Sequence, residues 1–151
     1  MLIEPDGRLR ITDFGLALAL RGGGAGAAGR YGGATSRSGT PQFAAPEQLI
    51  GEKVDQRADL YSLGAVASFA LRGRPPFEGI TAEAILAKQA TDSPPTLTGI
   101  PGVSREFEAM LRRAMSSDPA RRFPTAQAFH EGLRDVTGGS LRRLWALLRD
   151  V

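Results

Sequence analysis

The apolar positions of this chain fall into short, separated groups, and their spacing predicts a mostly helical protein. Residues 60 to 71 carry no charge, and their large apolar members are Leu60, Tyr61, Leu63, Val66, Phe69 and Leu71. These point nearly all the way round a helix, which places the segment at the centre of a core. Gly73-Arg-Pro-Pro-Phe77 ends it. Thr81 then caps a helix over roughly 82–90. A Pro-rich loop follows from Asp92 to Pro101, and Ser104 caps a helix with Phe107, Met110, Leu111 and Ala114 on one face. Their spacing of i, i+3, i+4, i+7 is that of an amphipathic helix. Asp118–Pro124 is a connector, and Thr125 caps a helix to about Val136. After Gly138-Gly139, the residues Leu141, Leu144, Trp145 and Leu148 form a last stripe, so 137–151 reads as a C-terminal amphipathic helix.

The beginning of the chain has a different pattern. Leu2-Ile3 and Leu9–Thr12 are β-prone runs separated by Glu4-Pro-Asp-Gly7, a strong turn signal, and they read as a short hairpin that delivers Asp13. Residues 21–39 are rich in Gly, Ala and Ser without apolar periodicity, which predicts a long loop. The fold class expected is mainly α with this one short β-hairpin. No internal repeat is visible.

Composition narrows the function classes. At 151 residues with 42% hydrophobic content the chain suits one domain with a real core. It has no cysteine and one histidine, His130, which excludes disulfides, thiolate or histidine-built metal sites and cysteine nucleophiles. Met1-Leu-Ile-Glu-Pro-Asp is unlike a secretory signal, and the uncharged run 60–71 is shorter than the ~20 residues a membrane helix needs. A cytoplasmic protein without a membrane span is expected. The net charge is +3, but the basic residues are scattered and lack interleaved aromatics, which argues against nucleic-acid binding.

Five motifs stand in one order: Asp13-Phe-Gly15; Gly39-Thr-Pro-Gln-Phe-Ala-Ala-Pro-Glu47; Asp59-Leu-Tyr-Ser-Leu-Gly64; Gly73-Arg-Pro-Pro-Phe77; and Asp118-Pro-Ala-Arg-Arg-Phe-Pro-Thr125. Order and spacing resemble the C-terminal lobe of a eukaryotic-type (bacterial) Ser/Thr protein kinase, with the activation segment lying between the first two motifs. The resemblance covers roughly residues 1–136 by these motifs. It implies a kinase C-lobe fold with the hairpin ahead of the activation segment. The activity it implies is transfer of the ATP γ-phosphoryl group to protein Ser or Thr, with magnesium as the ion. Pro41-Gln-Phe43 and Leu16 fit the Ser/Thr branch.

The same resemblance assigns roles. Asp13 would hold magnesium in an intact site, Phe14 would pack so as to aim that carboxylate, and Gly15 completes the triplet. Glu47 would pair with Arg122, a structural role for both. Asp59 would accept backbone N–H groups from a catalytic loop. Thr40 would face the substrate, and Thr35, Ser36 and Ser38 lie where activating phosphorylation occurs in relatives. A phosphate there needs arginines to order the loop, and Arg30 and Arg37 are the local ones. The alternative for that stretch is a solvated Gly-Ser loop with no regulatory site.

The glycine-rich loop, the phosphate-gripping Lys, its Glu partner, the catalytic Asp and the second magnesium-binding Asn of the family have no counterpart in the sequence. Gly24-Ala-Gly26-Ala-Ala-Gly29 matches G-x-G-x-x-G, but it lacks the flanking strands and downstream Lys that a phosphate loop requires. No catalytic or nucleotide-binding residue is therefore assigned, and tight binding of ATP or magnesium by this chain is not expected. Met1 is expected to stand at an internal valine codon of a longer kinase gene. Three readings remain open: a fragment of a kinase, inactive alone; a non-catalytic lobe that binds or regulates an intact kinase or a separate N-terminal half; and a non-functional gene remnant. Without a covering helix, the 60–71 segment is expected to expose an apolar patch. The stripe at Leu141–Leu148, with Arg142, Arg143 and Arg149 opposite, packs back on the lobe or meets a partner or membrane surface.

Overall fold

The computed structural model describes Leu2–Ile3, Leu9–Arg10 and residues 41–137. The chain divides into two units, Met1–Ser38 and Gly39–Val151. In the first, β1 (Leu2–Ile3) pairs antiparallel with β2 (Leu9–Arg10), Leu2 opposite Arg10 and Ile3 opposite Leu9. The turn expected at Glu4–Gly7 lies outside the described residues, as does the 21–39 loop.

The second unit is helical. A 3-10 turn at Pro41–Phe43 leads into α1 (Pro46–Ile50), followed by α2 (Gln56–Arg72), α3 (Ala82–Thr91), α4 (Arg105–Ala114) and α5 (Ala126–Thr137), with a second 3-10 turn at Pro119–Arg121. Thr81, Ser104 and Thr125 each accept a hydrogen bond from the backbone N–H three residues on, as their sequence positions suggest. The short α1 was not expected, because five residues give no periodicity to read. Local chemistry builds it instead: Pro46 supplies a preset φ at the first position, the Gln48 carboxamide accepts from Ala45 N–H at 2.8 Å, and Gly51 closes it at φ 74°. The C-terminal stripe 138–151 lies outside the described residues.

Helix α2 is longer than the uncharged run because a cap precedes it. Asp55 accepts from the Arg57 backbone N–H at 2.8 Å and meets the Arg57 guanidinium at 2.7 Å. Those side-chain and backbone bonds hold the Asp55 carboxyl down to about 2, from an ordinary 3.8. A depressed carboxyl pKa stabilises the fold above its unfolded value and ceases to do so as pH falls through the folded one. The chain should therefore lose a small increment of stability between about pH 4 and pH 2, and Asp55→Asn should flatten that part of a stability-against-pH curve. The increment is small because the pair is solvent-exposed.

Packing explains where each helix lies. Helix α2 crosses α4, which also packs on α5, while α1 packs on α3. The main core holds Leu60, Tyr61 and Ala65 of α2 with Phe107, Met110, Leu111 and Ala114 of α4 and Phe129 of α5. The α2–α4 crossing is close at Gly64, where a Cβ would stand 3.1 Å from both Ala114 Cβ and Met115 Cγ. A smaller core of Leu49, Phe77 and Ile85 joins α1 to α3. Helix α2 is not buried all round: Leu63 is 37% exposed and Phe69 40%, so its outer side is apolar and open among the described residues.

Candidate functional site

The site grows from the segment Ala44-Ala-Pro-Glu47. Glu47 sits in the first turn of α1 and Arg122 ends the second 3-10 turn, 75 residues away in sequence. They meet in a two-pronged ion pair, Nη1 to Oε1 at 2.6 Å and Nη2 to Oε2 at 2.8 Å, with Arg122 2% and Glu47 5% exposed. The planar fork matches a carboxylate edge, which makes this pairing stronger than a point-charge contact.

The remaining donors of Arg122 are also used. Nε donates to Ser116 O at 2.8 Å, Nη1 to Arg57 O at 3.2 Å and Nη2 to Ser117 O at 3.2 Å. All five guanidinium N–H groups thus find acceptors, and the group also lies 4.9 Å over the Tyr61 ring. A buried charge survives only with this kind of complete satisfaction. One side chain thereby ties α1, the start of α2 and the connector at 116–122 together.

The segment before Glu47 is held by different means. Phe43 makes an edge-to-face contact with Phe69 of α2, ring centroids 5.6 Å apart. The Ala44 carbonyl accepts from the Gln89 carboxamide of α3 at 2.9 Å. The segment 41–47 is therefore clamped from α2, α3 and the 116–122 connector.

Of the residues singled out from sequence, the structure brings Glu47 and Arg122 together. Asp59, in the first turn of α2, is exposed, and its side chain has no hydrogen-bond partner among the described residues. Asp13, Phe14, Gly15, Thr35, Ser36, Ser38 and Thr40 lie outside the described residues. Sequence reading missed Gln89 and the stacking role of Tyr61. Gln89 had a signal: it stands four residues after the core residue Ile85, on the buried stripe of α3, where a polar side chain must find a partner. Tyr61 was legible as core but not as a platform for a guanidinium, since that contact depends on where residue 122 returns.

The protein kinase domain model matches residues 1–133. The chain belongs to the protein kinase family. It is 34% identical over 142 residues to a probable serine/threonine-protein kinase PknB of Bifidobacterium longum, a match covering 93% of this chain and 20% of that protein. To serine/threonine-protein kinase PknJ of Mycobacterium tuberculosis it is 38% identical over 139 residues, 89% of this chain and 23% of the relative. To serine/threonine-protein kinase Pkn1 of Myxococcus xanthus it is 42% identical over 98 residues, 64% of this chain and 14% of the relative. The chain thus spans between 14% and 23% of the length of these relatives. The domain is of the eukaryotic-type Ser/Thr class, a transferase family that uses ATP and magnesium and acts on proteins. Among the described residues of this kinase domain, no helix is long and apolar enough to cross a membrane.

Proposed function

We propose that this chain is the substrate-docking lobe of an ATP-dependent protein serine/threonine kinase and is inactive alone. In this reading, phosphoryl transfer needs a further part that brings the glycine-rich loop, the phosphate-gripping Lys and the catalytic Asp. Asp13 then contributes one carboxylate to magnesium, and the cytoplasm is the compartment. The observation that carries the reading is the Glu47–Arg122 pair, which fixes the segment after Thr40 in one conformation while no catalytic base accompanies it in the sequence. A single carboxylate holds magnesium weakly, because that ion gives up water reluctantly. The open apolar side of α2 around Leu63 supports the same reading, since such a face is stabilised when the rest of a domain covers it. Thr35, Ser36 and Ser38 are the proposed activation-segment phosphorylation sites, and Thr40 the substrate-facing residue. The test is transfer of labelled phosphate from ATP and magnesium to a protein acceptor, absent with this chain and present when it is joined by a kinase N-terminal half that carries the glycine-rich loop, the Lys and the catalytic Asp.

A further inference from the structure

The Ala44–Glu47 segment is gripped at both ends, and only the Glu47 end is explained by the ion pair. At the other end stands Gln89, a carboxamide 4% exposed in the last turn of a helix whose other buried residue is Ile85. Its amide nitrogen donates to Ala44 O at 2.9 Å, across 45 residues of sequence. Burying a carboxamide has a cost unless it does something the fold needs, and an apolar residue at position 89 would continue the Ile85 stripe more cheaply.

The surroundings of Gln89 point the same way. Its Oε1 and the Tyr61 hydroxyl are both buried, and neither has a hydrogen-bond partner among the described residues. One is an acceptor and the other a donor. Burial pushes the Tyr61 hydroxyl pKa upward, and the Arg122 charge acts on it in the opposite, smaller sense. The face of the same Tyr61 ring lies under Arg122, the partner of Glu47. The Ala44–Glu47 segment is thus held at Ala44 O by Gln89 and at Glu47 by Arg122. Between its ends, Ala45 N–H is satisfied locally by Gln48.

We infer that Gln89 is a positioning residue: its carboxamide holds the backbone at Ala44, and with it the segment 41–47 that the kinase reading assigns to protein substrate, in the conformation that Arg122 fixes at Glu47. The inference rests on the kinase reading above for its functional half, but its structural half stands without it. A polar clamp sets direction as well as distance, since the Ala44 carbonyl must point at α3 for the bond to form. An apolar residue of equal size fills the same space and leaves that carbonyl free to turn.

The experiment is amide hydrogen exchange on the full chain, comparing wild type with Gln89→Met and Gln89→Glu. Gln89→Met keeps the volume and removes the donor. Exchange at residues 44–49 should quicken about tenfold, the size expected for a buried carbonyl losing its one donor, while α4 and α5 keep their wild-type rates. Gln89→Glu can donate when protonated and not when ionised, so its rate at 44–49 relative to wild type should rise with pH. In a complex with a kinase N-terminal half that carries the glycine-rich loop, the Lys and the catalytic Asp, Gln89→Met should raise KM for the protein substrate and leave KM for ATP unchanged. Wild-type exchange at 44–49 in Gln89→Met overturns the inference, and so does an equal acceleration throughout α4 and α5. Should Gln89→Met not fold, a pH-independent ratio in Gln89→Glu overturns it instead. A failure of phosphoryl transfer in every form would count against the kinase reading and leave the exchange result standing.

Discussion

Replacing Arg122 by Met is expected to destabilise the fold by about 3–5 kcal/mol, the cost of leaving a buried partner charge stranded. Glu47 would keep its carboxylate in a site 5% exposed with nothing opposite it, and the carbonyls of Ser116, Ser117 and Arg57 would each lose a donor. The urea midpoint should fall with little change in slope, and Tm should drop by about 10 °C or more. Adding Glu47→Gln to Arg122→Met should recover part of the loss, because the second change removes the stranded charge. A double variant as unstable as the sum of both single ones would mean the two side chains act independently, contrary to their 2.6 and 2.8 Å contacts.

Leu111→Ala is expected to cost about 2–5 kcal/mol, the range for truncating a leucine in a packed core. Leu111 is 1% exposed in the core shared with α2, and its carbonyl lies 3.6 Å from the position of a Cβ on Gly64. Two helix backbones this near cannot easily move to fill a void, which favours the upper part of the range. Leu63→Ala supplies the contrast: it removes the same side chain from the open side of α2, and its effect should stay within about 0.5 kcal/mol. Chemical denaturation of the two variants side by side checks the assignment of the buried face. Equal losses would show that the open side of α2 is covered in solution.

Much of the helical lobe could be read before its structure. Thr81, Ser104 and Thr125 announced three helix starts because a capping hydroxyl is a local device, visible within four residues. Phe107, Met110, Leu111 and Ala114 announced a buried face because their period is that of the helix itself. Pairing Glu47 with Arg122 came from resemblance to a family, since no spacing rule links residues 75 apart. What stayed hidden was of two kinds. Helix α1 is too short for a period, and its capping by Gln48 rather than by Ser, Thr, Asp or Asn gave no familiar start signal. Gln89 and Tyr61 act through tertiary placement: which carbonyl meets the carboxamide, and which ring lies under the guanidinium, are decided by how α2, α3 and the 116–122 connector return to one another. The uncharged segment 60–71 misled in one respect. Its small residues Gly64, Ala65 and Ser68 form the buried side with Leu60 and Tyr61, while Leu63 and Phe69 look outward.

That outward side bears on the central claim, that this lobe performs phosphoryl transfer only as part of a larger kinase. The most direct test is to incubate the purified chain with labelled ATP, magnesium and a protein acceptor, beside the same chain joined by a kinase N-terminal half that carries the glycine-rich loop, the Lys and the catalytic Asp. The account predicts no phosphoserine or phosphothreonine from the 151 residues alone and clear labelling from the two halves together. Labelling by the chain alone, abolished by Asp13→Ala, would contradict it.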